Sequence, residues 1–157
     1  MAGRFSRAAW EIHHDVIVRF VVHSTHMLHL ADWAFVIGHT ALVLFNTLGW
    51  IVRRWRRANL VLLLLTGASW FGLGMFYGLG YCPLTDWHWA VLRRLGETDL
   101  PRSYIQYLLV RLLGVEFSAA TVDAAVAVGF FAALLISVIA NLRDWKKTRT
   151  TTMDQEQ

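Results

Sequence analysis

The chain is poor in cysteine and proline. It has one cysteine, Cys82, which excludes an intramolecular disulfide and any zinc or iron–sulfur site built on several thiolates. Proline occurs twice, at Pro83 and Pro101, both in one polar segment between long apolar runs. No phosphate-binding loop, Walker element or Ser/His/Asp pattern occurs. A secretory signal is not evident, because the run Val16–Val22 is short, broken by Arg19, and lacks a small-residue cleavage site. Acidic residues are few, 11 against 15 Lys and Arg, yet the basic excess lies on no polar domain. Four of the 15 lie in Arg53–Arg57 and four in Arg143–Arg149, each cluster abutting an apolar block. That is a positive-inside arrangement and not a nucleic-acid footprint.

What the chain has in excess is grease. Of its 157 residues 56% are hydrophobic, and 8 are Trp, where soluble domains hold about 45–50% apolar residues. The excess falls in three blocks. Leu30–Val52 has about 23 residues, enough at about 1.5 Å each to cross the ~30 Å hydrocarbon layer. It stops at the arginine cluster. A second block, about 58–81, turns glycine-rich, with Gly74 and Gly78 in the G-x-x-x-G spacing that lets helix backbones approach closely. The third, about 119–142, carries Thr121, Ala125, Gly129, Ala133, Ser137 and Asn141 at intervals of four, a ridge of small and hydroxyl residues for close packing.

These blocks predict an all-α integral membrane protein of three transmembrane helices. Residues 1–29 form an amphipathic N-terminal extension, a helix lying at the interface or continuing out of the first span: Ile12, Val16 and Phe20 recur at helical spacing among His13, His14, Asp15, Arg19, His23 and His26. The polar segment 82–118 holds two short helices. Cys82-Pro83 ends the second span. Thr85 caps a helix from Asp86 to Leu95, and a second helix follows from about Asp99 to Leu113. Residues 143–157 are a basic collar and a polar, disordered tail. With both collars facing the cytoplasm, the N-terminus and 82–118 lie outside and the C-terminus inside.

Leu30-Ala31-Asp32, His39 in the first span, Cys82-Pro83-Leu84-Thr85 after the second, and Tyr104 or Tyr107 before the third form a pattern. It resembles an uncharacterised family of small bacterial membrane proteins, a domain of unknown function, over roughly residues 28–142. The resemblance implies three spans in a bacterial cytoplasmic membrane, with residues 1–27 as an extension. It supplies no activity.

Several constellations admit a functional and a structural reading. Asp32, His39 and Asn46 repeat every seven residues and share one face of the first span. They could line a polar pocket in which His39 is a ligand or proton carrier. They could instead bond across helices, His39 to Ser69, Thr66 or a third-span hydroxyl. No second intramembrane His faces His39, so a haem would need Met75 or a lone axial ligand. Cys82, Asp86 and His88 could bind a metal at the rim, although their spacing matches no recognised ligand motif and Asp86 has a role at a helix start. Cys82 could be a reactive thiol or a small buried side chain. The leading functional expectation is a non-enzymatic accessory or assembly protein of the lipid bilayer, docking as a homo-oligomer or within a larger membrane complex, with no cofactor and no nucleic acid. The alternative is a protein holding a metal, quinone or haem through His39 and the Cys82–His88 rim.

Overall fold

A computed structural model describes residues 5–155, with side chains described for residues 24–147. Among the described residues the chain is helical throughout, with no strand. Three helical stretches are long and apolar enough to cross a membrane: Ser24–Leu48, Arg53–Tyr77 and Ala119–Lys147. The chain is an all-α, three-span membrane protein.

Helix α1 runs unbroken from Phe5 to Leu48. The expected N-terminal extension and first span are thus one helix. No proline or glycine interrupts Phe5–Ile37, so the backbone has no reason to stop at the water boundary. The side chains that motivated an amphipathic reading, from Ile12 to His23, lie outside the described residues. The helix ends at Leu48, before the expected Val52, because Gly49 is buried in a tight turn. A methyl there would sit 2.5 Å from the Phe45 carbonyl and 3.0 Å from the Asn59 amide. The freed carbonyls find side-chain donors: Trp50 Nε1 donates to Thr47 O at 2.7 Å, and Arg56 Nε to Trp50 O at 2.9 Å.

After a 3-10 turn, Arg53–Trp55, the second span continues as α2, Arg56–Gly67, a π-helical stretch, Ala68–Leu73, and α3, Gly74–Tyr77. The glycines at its end work differently from the packing seam expected of them. Gly78 (φ 105°) and Gly80 (φ 83°) take left-handed backbone that ends the helix. Gly74 faces the returning chain, where a methyl would come within 3.3 Å of Leu79 Cα. The pair therefore makes a sharp turn inside one span.

Helix α4, Pro83–Arg94, starts two residues before Thr85. Cys82 occupies the N-cap in extended geometry (φ −133°), as a residue before proline must, and Pro83 opens the first turn. Helix α5, Tyr104–Leu108, runs through a π turn to Leu113, and Gly114 closes it in left-handed geometry. Helix α6, Ala119–Gln155, starts where the Ser118 hydroxyl accepts from Thr121 N at 3.2 Å. It continues through the basic collar and most of the expected disordered tail.

α2 packs along α6, while α1 touches α4, α6 and α2. Two small cores result. Leu63, Phe130 and Ala133 meet between α2 and α6, with the Trp70 ring tilted against Phe130, centres 4.7 Å apart. Val36, Tyr104 and Leu108 meet where α4 and α5 cover the interior of α1, at the end of the first span away from the arginine clusters. That covered end is the cap; the arginine clusters mark the opposite, basic end. Only half of the third-span ridge packs: Ala133 and Ser137 are buried, while Thr121, Ala125 and Gly129 are exposed.

Candidate functional site

The cap is assembled around one carboxylate. Asp32 lies one turn inside the apolar part of α1, with its side chain only 5% exposed. Side chains from two elements converge on it. Arg111, on the π turn after α5, makes a fork: Nη1 donates to Oδ1 and Nη2 to Oδ2, both at 2.7 Å. His88, fully buried on α4, places Nε2 at 2.8 Å from Oδ1. The other imidazole nitrogen, Nδ1, lies 2.9 Å from the Tyr104 hydroxyl, which is also 3.4 Å from the Phe35 carbonyl. Arg111 Nη1 bonds the Tyr107 hydroxyl as well. Spacings of three and four put Tyr104, Tyr107 and Arg111 on one face of the Tyr104–Leu113 stretch, so a single helix face delivers all three.

Rings wall the cluster. Trp89 stacks on Tyr104 at 5.2 Å and meets Tyr107 edge-on at 5.0 Å. The Arg111 guanidinium also lies 5.0 Å from the Trp33 ring centre. From the membrane side His39 stacks on Tyr104 with ring centres 3.8 Å apart.

The electrostatics fix the protons. Burial pushes the His88 imidazole below its ordinary value, and Arg111 pushes the same way; the Asp32 carboxylate opposes them and loses. The reason is that Arg111 already neutralises Asp32, so a second buried cation would be uncompensated. Neutral His88 then has one tautomer that suits the carboxylate, and it draws the single Tyr104 hydroxyl proton to the imidazole at 2.9 Å in preference to the more distant Phe35 carbonyl. Nε2–H donates to Asp32, and Nδ1 accepts from the Tyr104 hydroxyl. Burial raises Tyr104 and Tyr107, keeping both phenols protonated. Arg111 is raised, chiefly by its bond to Asp32, and stays a cation.

This has a pH consequence. The unfolded chain takes up a proton on His88 more readily than the folded one does, so unfolding gains protons as pH falls. The cap's stability is therefore complete above the ordinary imidazole range and declines as pH drops through it, by about 1.4 kcal/mol for each unit of depression. Thermal midpoints measured in detergent between pH 8 and about pH 5 should fall more steeply for the parent than for His88→Gln, which has no proton to gain. Parallel profiles would show that His88 is not held neutral.

The other sequence-selected residues are distributed differently. Asp32, His39 and Asn46 are all buried on one face of α1, but they join no common network. Asn46 Nδ2 donates to Thr66 Oγ1 at 3.0 Å, well toward the basic end. Ser69 donates to the Tyr81 carbonyl at 2.9 Å, and not to His39. His39 Nδ1 is buried with no partner. At the rim, Cys82 is half-buried, Pro83 and Thr85 lie in the first turn of α4, and exposed Asp86 accepts from the Tyr81 hydroxyl at 3.3 Å. His88 points inward, away from that rim. Among the described residues no three His, Cys, Asp or Glu side chains are grouped to hold a metal.

Sequence reasoning missed Arg111 and Asn59. Arg111 is an arginine inside an apolar run, LLVRLL, and that anomaly is the signal it left. Asn59 is fully buried near the start of α2. Its Nδ2 donates to Phe45 O at 2.7 Å and Asn46 O at 3.2 Å, and its Oδ1 accepts from Ser137 Oγ at 2.8 Å.

Residues 29–142 match a family described as a protein of unknown function (DUF2784). No curated protein and no solved structure matches the chain.

Proposed function

Since the chain belongs to this family of unknown function, we propose from its site that it is a non-enzymatic membrane component, an accessory or assembly protein. The observation that carries this reading is the saturation of Asp32. Its two oxygens accept three hydrogen bonds, all from the protein's own side chains, which leaves little capacity for a substrate. A catalytic carboxylate needs an open position beside a group whose proton can move. Here the neighbouring phenols hold their protons and the guanidinium is locked. The cluster is a clamp that fixes α4 and α5 over α1.

Outside the two small cores the helices expose apolar surface along their length, including Met75, Phe76 and Leu79 beside the cap. Three spans enclose no room for a private transport path, so this surface serves lipid, a second copy or another membrane protein. We place the protein in the bacterial cytoplasmic membrane with both basic clusters inside and the cap outside.

A second reading keeps one specific observation in its favour. His39 is 7% exposed, has an unpartnered Nδ1, and stacks on Tyr104; a small bilayer-soluble ligand such as a quinone, or a haem or metal, could take that nitrogen. Purification in mild detergent separates the two. A colourless, metal-free protein migrating as an oligomer or with membrane-protein companions is the expected result. A Soret band, a stoichiometric metal or a co-purifying quinone lost in His39→Ala would overturn it in favour of the ligand-holding reading.

A further inference from the structure

At the basic end the start of α2 and the middle of α6 leave an open groove of about 620 Å³ between them. Its upper wall is Arg53, Arg54, Arg56 and Arg57, with Trp145 beside them, and its lower wall is Leu60, Val138 and Leu142, which descend into the apolar spans. Asp144 sits within it and holds two of the arginines, Arg53 at 3.4 Å and Arg56 at 3.0 Å. Arg56 is further fixed by the Trp50 carbonyl. Arg54 and Arg57 have no carboxylate partner among the described residues. Four guanidiniums against one carboxylate leave three uncompensated positive charges in one concave site.

We propose that this groove binds the phosphodiester headgroup of an anionic phospholipid. Three features of the place select that chemistry. Guanidinium forks fit phosphate oxygens two at a time and hold them in a low-dielectric boundary layer. The helical stretch that opens with the turn Arg53–Trp55 and continues as α2 has its N-terminus at the same end and adds its partial positive charge. The apolar lower wall continues from the phosphate toward the hydrocarbon, so the upper acyl chain packs along Leu60 and Val138 where a free anion would leave them wet. A water-soluble phosphate would use the first two features only. Asp144 has a definite task in this arrangement: it orients Arg53 and Arg56 and leaves Arg54 and Arg57 to the lipid.

The full chain, purified in a neutral detergent, tests this by native mass spectrometry and thermal melting with three additions: phosphatidylglycerol, phosphatidylcholine and inorganic phosphate. Phosphatidylglycerol should be retained as a discrete one-to-one adduct, at least about tenfold above phosphatidylcholine, and should raise the melting midpoint by linkage. Arg54→Gln and Arg57→Gln, singly and together, should weaken the adduct stepwise. Lys146→Gln with Lys147→Gln removes an equal charge from α6 at the same basic end but outside the groove, and should leave the adduct in place. Should that lysine pair weaken it as much as the arginine pair, general charge attraction explains the binding and the site is overturned. Equal retention of both lipids, or a melting shift reproduced by inorganic phosphate alone, overturns it too. The melting curves of the variants without lipid identify any that fail to fold, and the single substitutions, at exposed arginines, remain available if the double one does.

Discussion

An Arg111→Met variant is expected to unfold with a loss of about 3 kcal/mol, the lower end of the range for breaking a buried pair from one side. The lower end applies because the Arg111 side chain keeps 24% of its exposure while Asp32 keeps 5%. Methionine preserves the length and apolar stem, so the loss reads the charge and the fork. The Asp32 carboxylate would remain in place with His88 as its sole strong donor. His88 is held neutral first by burial and only then by Arg111, so without Arg111 it takes up a proton more readily beside Asp32, and the variant should lose less stability than the parent on mild acidification. Removing both members separates net worth from one-sided damage. Asp32→Leu with Arg111→Met should recover part of the loss, because an apolar pair replaces a desolvated ionic one, while the buried His88 Nε2–H, left without its acceptor, keeps the recovery incomplete. The cycle of two single variants and the double one, followed by denaturation in mixed micelles, gives the coupling directly. Parent-like unfolding of Arg111→Met would mean that the fork does not form, and the clamp reading of the cap would fall with it.

How much of this was legible beforehand follows from what each feature leaves in a single chain. The three spans write themselves as long apolar runs between arginines, so their number and order are readable. The start of the first is not, because a helix without proline or glycine has no local reason to end at the water boundary. The glycines after Ala68 read as packing, since G-x-x-x-G carries no mark of whether a second helix or the same chain returns upon it. At the cap, burial of Asp32 was readable from its place in an apolar run, and so was its shared face with His39 and Asn46. Its partners were not. Arg111 follows it by 79 positions and His88 by 56, and no periodicity links residues on different helices. His88 read as a rim ligand because its neighbours Cys82 and Asp86 face the rim; two residues of helix past Asp86, about 200° of rotation, aim it the other way.

The largest effect expected at the basic end belongs to a residue with no charge. Asn59→Leu should cost about 2 kcal/mol, although leucine has the same branching and the site is fully buried. Asn59 connects all three spans: two bonds to the last-turn carbonyls of α1 and one from Ser137 of α6. Interhelical hydrogen bonds in membranes average about 0.6 kcal/mol each, and three lost together account for most of the figure. The rest comes from what stays behind. The Phe45 and Asn46 carbonyls belong to a helix terminus and need partners; Phe45 O keeps the Gly49 N–H at 2.8 Å, while Asn46 O loses its Asn59 donor. Ser137→Ala should cost far less, near the single-bond value, because it removes one bond and leaves Asn59 its two donations. Combining it with Asn59→Leu should add almost nothing, since the hydroxyl has already lost its acceptor. Asn141 offers a control on the same helix pair: its Nδ2 donates to Arg56 O at 3.1 Å but also to Ser137 O of its own helix at 2.8 Å, so Asn141→Leu should fall between the two. If Asn59→Leu and Ser137→Ala prove equal and additive, the two side chains act independently, and the junction of the three spans is held by apolar packing around Leu63 alone.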